Sequence, residues 1–156
     1  MAGAWLSEAI PEVERSDRQR MVRHGLRGLL KKADPGALAL MGYDPESPVT
    51  LTDLHGASAV TLGERLAWGF ALSNPTAEDA LIRVDYVLHR PLASGKISTR
   101  VCHVAERTLR AGAEAAYDLN HSFKAVSTRT DYPGAYRIEA RINGKVRGEI
   151  SFEVSA

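Results

Sequence analysis

The stretch "AYRIEARINGKVRGEISFEV" constrains the fold more than any other part of the chain. Tyr136, Ile138, Ala140 and Ile142 alternate with polar neighbours, which is the two-residue period of a half-buried strand. Asn143-Gly144 then supplies the pair of positive-φ residues that a type I′ turn requires. Val146, Gly148, Ile150, Phe152 and Val154 return on what the strict period makes the same apolar face. A β-hairpin follows.

The same period recurs upstream. Leu66, Trp68, Phe70 and Leu72 alternate with Arg65, Ala67, Gly69 and Ala71, and Ile82, Val84, Tyr86 and Leu88 alternate with Arg83, Asp85 and Val87. Strands are expected at 48–54, 58–62, 64–73, 80–89, 97–104, 115–121, 135–142 and 146–154. Seven or eight short strands with frequent turns make a β-sandwich or a barrel. The motif "DYPGAYRI" favours the sandwich: Asp131, Gly134 and Tyr136 precede a strand in the manner of a tyrosine corner, with Ile138 where an immunoglobulin domain carries its second cysteine. The fold class is therefore mainly β, an immunoglobulin-like antiparallel β-sandwich without a disulfide. Tryptophan is on the presumed second strand, and the third offers Tyr86 instead.

Before Pro45 the period is helical. Ser16 with Gln19 reads as a capping box, and Val22, Leu26, Leu29 and Leu30 make one apolar stripe, predicting a helix over 17–32. Asp34 reads as an N-cap with Pro35 at the first helical position, and the second helix stops at Gly42. Residues 2–9 form a further short helix on this reading, ended by Pro11. "GYDPESPV" then breaks helical geometry, dividing the chain into a helical segment, 1–44, and a sandwich, 45–156.

Chemistry is sparse. The histidines at 24, 55, 89, 103 and 121 have none of the spacings that converge on a metal, and the single cysteine, Cys102, excludes an intramolecular disulfide. Cys102 and His103 are adjacent on a strand and point to opposite faces, so the thiol is expected to pack as a small hydrophobe. No glycine-rich phosphate loop or nucleophile elbow appears. No catalytic residue, metal or cofactor is therefore expected. The absence of a basic, apolar leader and of any 18-residue apolar run points to a cytoplasmic protein with no membrane partner.

Basic residues carry more information. Overall charge is near balance at +1, but residues 80–156 hold twelve basic and eight acidic side chains, an excess of four. Arg20, Arg23, Arg27 and Lys31 recur at helical spacing as a ridge beside the leucine stripe. That ridge is either a solvated face or a phosphate-contacting one, and spacing does not separate the two. Lys124, Ser127, Thr128 and Arg129 lie in "HSFKAVSTRTDYPG", and Lys96 with Arg100 lies in "SGKISTR". Guanidinium, ammonium and hydroxyl groups on such loops are the types that contact DNA backbone, while Ser127 and Thr128 could equally satisfy their own loop and Arg129 pair with Asp131; whether the two loops share an end of the sandwich depends on the topology.

"VRHGLRGLLKKADPGALALMGY" followed by "VDYVLH", "HSFKAVSTRTDYPGAYRIEARINGKV" and a closing "FEV" resembles the C-terminal part of bacterial AlkC-type DNA alkylation-repair proteins. The resemblance covers residues from about 20 to 156. Such proteins join HEAT-like helical repeats to an immunoglobulin-like domain and are monofunctional glycosylases that hydrolyse the N-glycosidic bond of cationic alkylated bases. Their catalytic residues lie in the concave repeat surface. Two or three helices before Pro45 do not make such a surface, and Trp5, Glu8, Glu12 and Glu14 match no catalytic motif. The resemblance thus implies a last helical repeat plus a domain that grips double-stranded DNA, without catalysis in this chain. A separate helical-repeat chain, or self-association, would complete it. The competing reading is an immunoglobulin-like protein-interaction module with no DNA role.

Overall fold

A computed structural model describes residues 27–126 and 130–156. The expected helix at 2–9, the capping box and most of the helix at 17–32, including Val22 and Leu26, lie outside those residues. The remaining helical elements are α1 (Arg27–Lys31) and α2 (Pro35–Leu40). Asp34 caps α2 as its position predicts: its carboxylate accepts from the Ala37 N–H at 3.0 Å, and Pro35 needs no partner for a missing N–H.

Eight strands follow: β1 (Thr50–Gly56), β2 (Ala59–Thr61), β3 (Arg65–Ser73), β4 (Ala80–Pro91), β5 (Ile97–Leu109), β6 (Glu114–Ser122), β7 (Gly134–Ile142) and β8 (Lys145–Ser155). They form a three-stranded sheet, β1-β3-β6, and a five-stranded sheet, β2-β8-β7-β4-β5. The pairing is antiparallel except that β2 runs parallel to β8, a departure from a purely antiparallel sandwich. After β1 the chain crosses between sheets within Ala57 and Ser58, and its next three residues borrow the edge of β8.

The apolar faces meet in one core. Leu66, Trp68, Phe70 and Leu72 from β3 face Ile82, Val84 and Leu88 from β4 and Tyr136, Ile138, Ala140 and Ile142 from β7. Each fully buried aliphatic or aromatic side chain stabilises by about 1.5–3 kcal/mol. Trp68 and Tyr86, on β3 and β4, pack edge-on with ring centroids 4.9 Å apart. Phe123 plugs the end of the core, edge-on to Tyr136 at 5.3 Å.

Two expectations change. Arg83, Asp85 and Val87 are buried, where strict alternation makes them the solvated side of β4. The strand is central, and the outer face of its sheet is covered in part by the cluster of Ala33, Ala37, Leu38 and Tyr43, which packs on Val101 beside Val87. The buried charges pair there: Arg83 Nε approaches Asp85 at 3.1 Å, and His103 Nδ1 lies 3.0 Å from Asp85. Val146 is exposed, contrary to the strict period of the hairpin. A bulge opposite Ala140 and Arg141 inserts Arg147 as an extra residue, so Val146 pairs with Arg141 and turns outward. The displaced Arg147 guanidinium donates to the carbonyls of Pro45, Ser47 and Val49 at 2.9–3.2 Å.

The turn itself is as expected, with Asn143 at φ 53° and Gly144 at φ 82°. Asn143 does more than turn the chain. Its Oδ1 accepts from the Arg83 N–H at 2.8 Å, and its Nδ2 donates to the Asp44 carbonyl at 2.6 Å.

Candidate nucleic-acid interface

The turn joining β4 to β5 is closed by the Leu92 N–H donating to the Lys96 carbonyl at 2.8 Å, with Gly95 at φ 85°. That conformation costs a glycine nothing sterically and leaves Lys96 exposed at the tip. Arg100 follows on β5 opposite Leu88, a core residue, so it belongs to the row of β5 that faces between the sheets, at their open edge. It is exposed.

The chain leaving β6 reaches the same end. Phe123 is held by its N–H donating to the Glu64 carbonyl and its carbonyl accepting from Gly63, after which Lys124 emerges exposed, its N–H donating to Ser122 Oγ at 3.2 Å. On the way back, Arg90 donates to the Thr130 carbonyl at 2.8 Å and stands 3.5 Å from Asp131. Tyr136 fixes the entry to β7: its hydroxyl donates to the Tyr132 carbonyl at 2.6 Å and accepts from the Tyr132 N–H at 3.1 Å. This is the tyrosine corner that "DYPGAYRI" announces. Gly134, at φ 144°, lies so close to Pro91 that a Cβ would meet its ring at 3.2 Å. Lys96, Arg100 and Lys124 therefore share one end of the sandwich.

Ser127, Thr128 and Arg129, and likewise Arg20 and Arg23, lie outside the described residues. Arg27 and Lys31 are exposed on α1, but the helical segment is tied to the other end: the Ala33 carbonyl and Pro35 abut Gly144 so closely that a Cβ there would sit 2.8 Å from the carbonyl oxygen. The sequence-predicted cations among the described residues thus form two groups, Lys96, Arg100 and Lys124 toward the tip and Arg27 and Lys31 on the helical segment beside the β7–β8 turn.

A feature that strand periodicity did not reveal lies beside Arg100. Tyr86, Arg100, Cys102, Asn120, His121 and Ser122 line a cleft of about 460 Å³ where β5 and β6 face each other across the open edge of the sandwich. The Tyr86 hydroxyl and His121 Nδ1 are 2.7 Å apart. Burial, then the neighbouring Cys102 thiol, holds the Tyr86 phenol well above its ordinary pKa, so the hydroxyl keeps its proton. Burial and next the Arg100 charge hold His121 below the ordinary histidine value, with Asp131 opposing. His121 is 5% exposed, and its Nε2 has no hydrogen-bond partner. Cys102 is half-buried against this cleft, so its surroundings are polar as well as apolar. The cluster joins Tyr86, Arg100 and Cys102 of one sheet to Asn120, His121 and Ser122 of the other, residues that meet only where the two sheets pack face to face. Among the described residues, no three His, Cys, Asp or Glu side chains gather in a way that could hold a metal ion. No described helix is long and apolar enough to cross a membrane.

Among solved structures, the chain is similar to the alkylpurine DNA glycosylase AlkC of Pseudomonas fluorescens bound to DNA containing an abasic site analog, with a TM-score of 0.82 and 26% identity over 98% of this chain and 42% of that one. A β-glucosidase from Listeria innocua shares the sandwich at a TM-score of 0.60 and 16% identity, over 71% of this chain and 16% of the enzyme, a likeness of fold alone. The uncharacterized protein YhaZ of Bacillus subtilis (strain 168) is 31% identical over 135 residues, covering 86% of this chain and 37% of YhaZ. The chain therefore spans about two fifths of the length of these two longer relatives, AlkC and YhaZ. Residues 51–156 match the model of the C-terminal Ig-like domain of the uncharacterised protein YhaZ, and the chain belongs to that family.

Proposed function

We propose that this chain is a DNA-backbone-binding module related to DNA alkylation repair, contributing grip on a duplex and no bond cleavage of its own. The observation that supports the reading is that Lys96, Arg100 and Lys124 are exposed toward one end of the sandwich, on a fold that resembles, over nearly its whole length, part of a glycosylase bound to DNA. Ser127, Thr128 and Arg129 belong to the same loop and extend the surface in this proposal. Arg20, Arg23, Arg27 and Lys31 form a second contact from the helical segment. Residues 1–44 act as a terminal helical repeat and 45–156 as the immunoglobulin-like unit, in the cytoplasm.

Backbone contacts of this kind release counterions, so affinity should fall steeply with salt and be indifferent to sequence. Fluorescence anisotropy of a labelled duplex, plain and methylated, at about 50 and 200 mM salt tests it. Binding that collapses with salt supports the module, and no binding at low salt ends it.

A second reading rests on the edge of the five-stranded sheet. Among the described residues no strand pairs with the outer side of β5, and Ile97 there is 62% exposed. An edge of this kind can accept a strand from another protein. Salt-insensitive association in sedimentation experiments, without duplex binding, would favour that role.

A further inference from the structure

The cleft between β5 and β6 has the makings of a ligand site. Its lining residues include Arg100, two histidines and several neutral hydrogen-bonding side chains, and no carboxylate. Such a lining has charge for an anion and none for a cation. A buried polar atom without a partner forfeits its hydration for nothing, and His121 Nε2 is in that position. Donation from the Tyr86 hydroxyl to His121 Nδ1 leaves the single proton of the neutral ring on Nε2, which makes that nitrogen a donor. Ser122 and Asn120 add a hydroxyl and an amide.

We propose that this cleft is an oxyanion pocket that takes one phosphate group, with the Arg100 guanidinium at its mouth and the His121 ring in its wall. The group comes either from a DNA backbone or from free phosphate. The first source rests on the function proposed above; the second does not. Tyr86 is a positioning residue here, since it sets the proton on His121 and does not itself supply the charge.

The test is an NMR titration of the full chain with inorganic phosphate, against sodium chloride at matched ionic strength, following the His121 ring and the Arg100 Nε–H resonances. A saturable response to phosphate and not to chloride is expected. Arg100→Gln should weaken it about ten-fold or more, as loss of a charge-assisted hydrogen bond does. Arg100 is exposed, so the variant keeps its fold, which the unchanged spectrum of the core will show.

A short duplex added to the phosphate complex then identifies the source. Displacement of phosphate, or a duplex-induced shift at the same His121 resonance, assigns the pocket to the DNA backbone. Duplex binding that leaves the phosphate in place assigns it to free phosphate. A phosphate response in a protein that binds no duplex keeps the pocket and ends the DNA-backbone reading. Duplex binding with a His121 ring unmoved by duplex and by phosphate overturns the pocket and leaves that reading standing.

Discussion

Tyr136 holds Tyr132 by both of the latter's backbone polar groups, donating to its carbonyl at 2.6 Å and accepting from its N–H at 3.1 Å. The Tyr136 ring meanwhile stacks on Phe152 with centroids 5.7 Å apart. One side chain therefore joins core packing to the geometry of the loop that carries Lys124. Tyr136→Phe keeps the ring and removes both bonds. The expected loss is about 1–3 kcal/mol in urea unfolding, and faster proteolysis within 124–132.

Asn143 is a harsher site. Alanine there removes the partners of the Arg83 N–H and the Asp44 carbonyl and must adopt φ 53°. Asn143→Ala should cost about 2–4 kcal/mol, more than a turn residue with no such bonds. Asn143→Gly relieves the φ alone and should recover a minor part of the loss.

Val146 offers the opposite test. The bulge turns it outward, so Val146→Thr should change stability by no more than about 0.5 kcal/mol. A loss of core-residue size in thermal unfolding would mean that β8 pairs with β7 without the bulge.

If the tip grips DNA, each phosphate contact contributes roughly 0.9 to the slope of log affinity against log salt. Lys96→Gln with Lys124→Gln should flatten that slope by up to about twice this amount, with folding unchanged because both side chains are exposed. An unaltered slope would move the contacts away from this end.

Acid should weaken the fold through His121. Its folded pKa lies below the ordinary 6.5, first because it is buried and next because Arg100 is near, so the unfolded chain binds the proton more readily. The resulting stability is fully present above pH 6.5 and is lost as pH falls through the lower folded value. Glu139 acts in a more acidic window: burial alone would raise its pKa, but Arg141 and His89 outweigh that and hold it below 4.5. Urea midpoints at pH 7.5 and 5.5 should diverge in the natural protein, and less so in His121→Gln.

Much of the sandwich was legible because alternation reports burial where one face of a strand meets the core, as in β3 and β7. It fails where a second layer or an extra residue intervenes. Arg83 and Asp85 pair with each other on one strand, but they look solvated in sequence because their further partners, Glu106 and His103, come from the neighbouring β5. Arg147 looks like an ordinary strand position because a bulge leaves little mark on composition. Lys96, Arg100 and Lys124 stand out by type in the sequence, but which end of the sandwich each occupies depends on strand pairing, and the contacts of Arg90 with Thr130 and of Pro91 with Gly134 join residues forty or more positions apart. The pairing of Tyr86 with His121 carried no local signal.

The linker between helices and sandwich is clasped along its length. Asn143 and Arg147 hold the carbonyls of Asp44, Pro45, Ser47 and Val49, and Lys145 Nζ meets Glu46 at 2.9 Å. A swivel at "DPESPV" would have to break these bonds together, so the joint behaves as a bracket. Torque applied to α2 reaches the β7–β8 hairpin, and the angle between the helical segment and the far tip is set by the sandwich, not by the polypeptide that joins them.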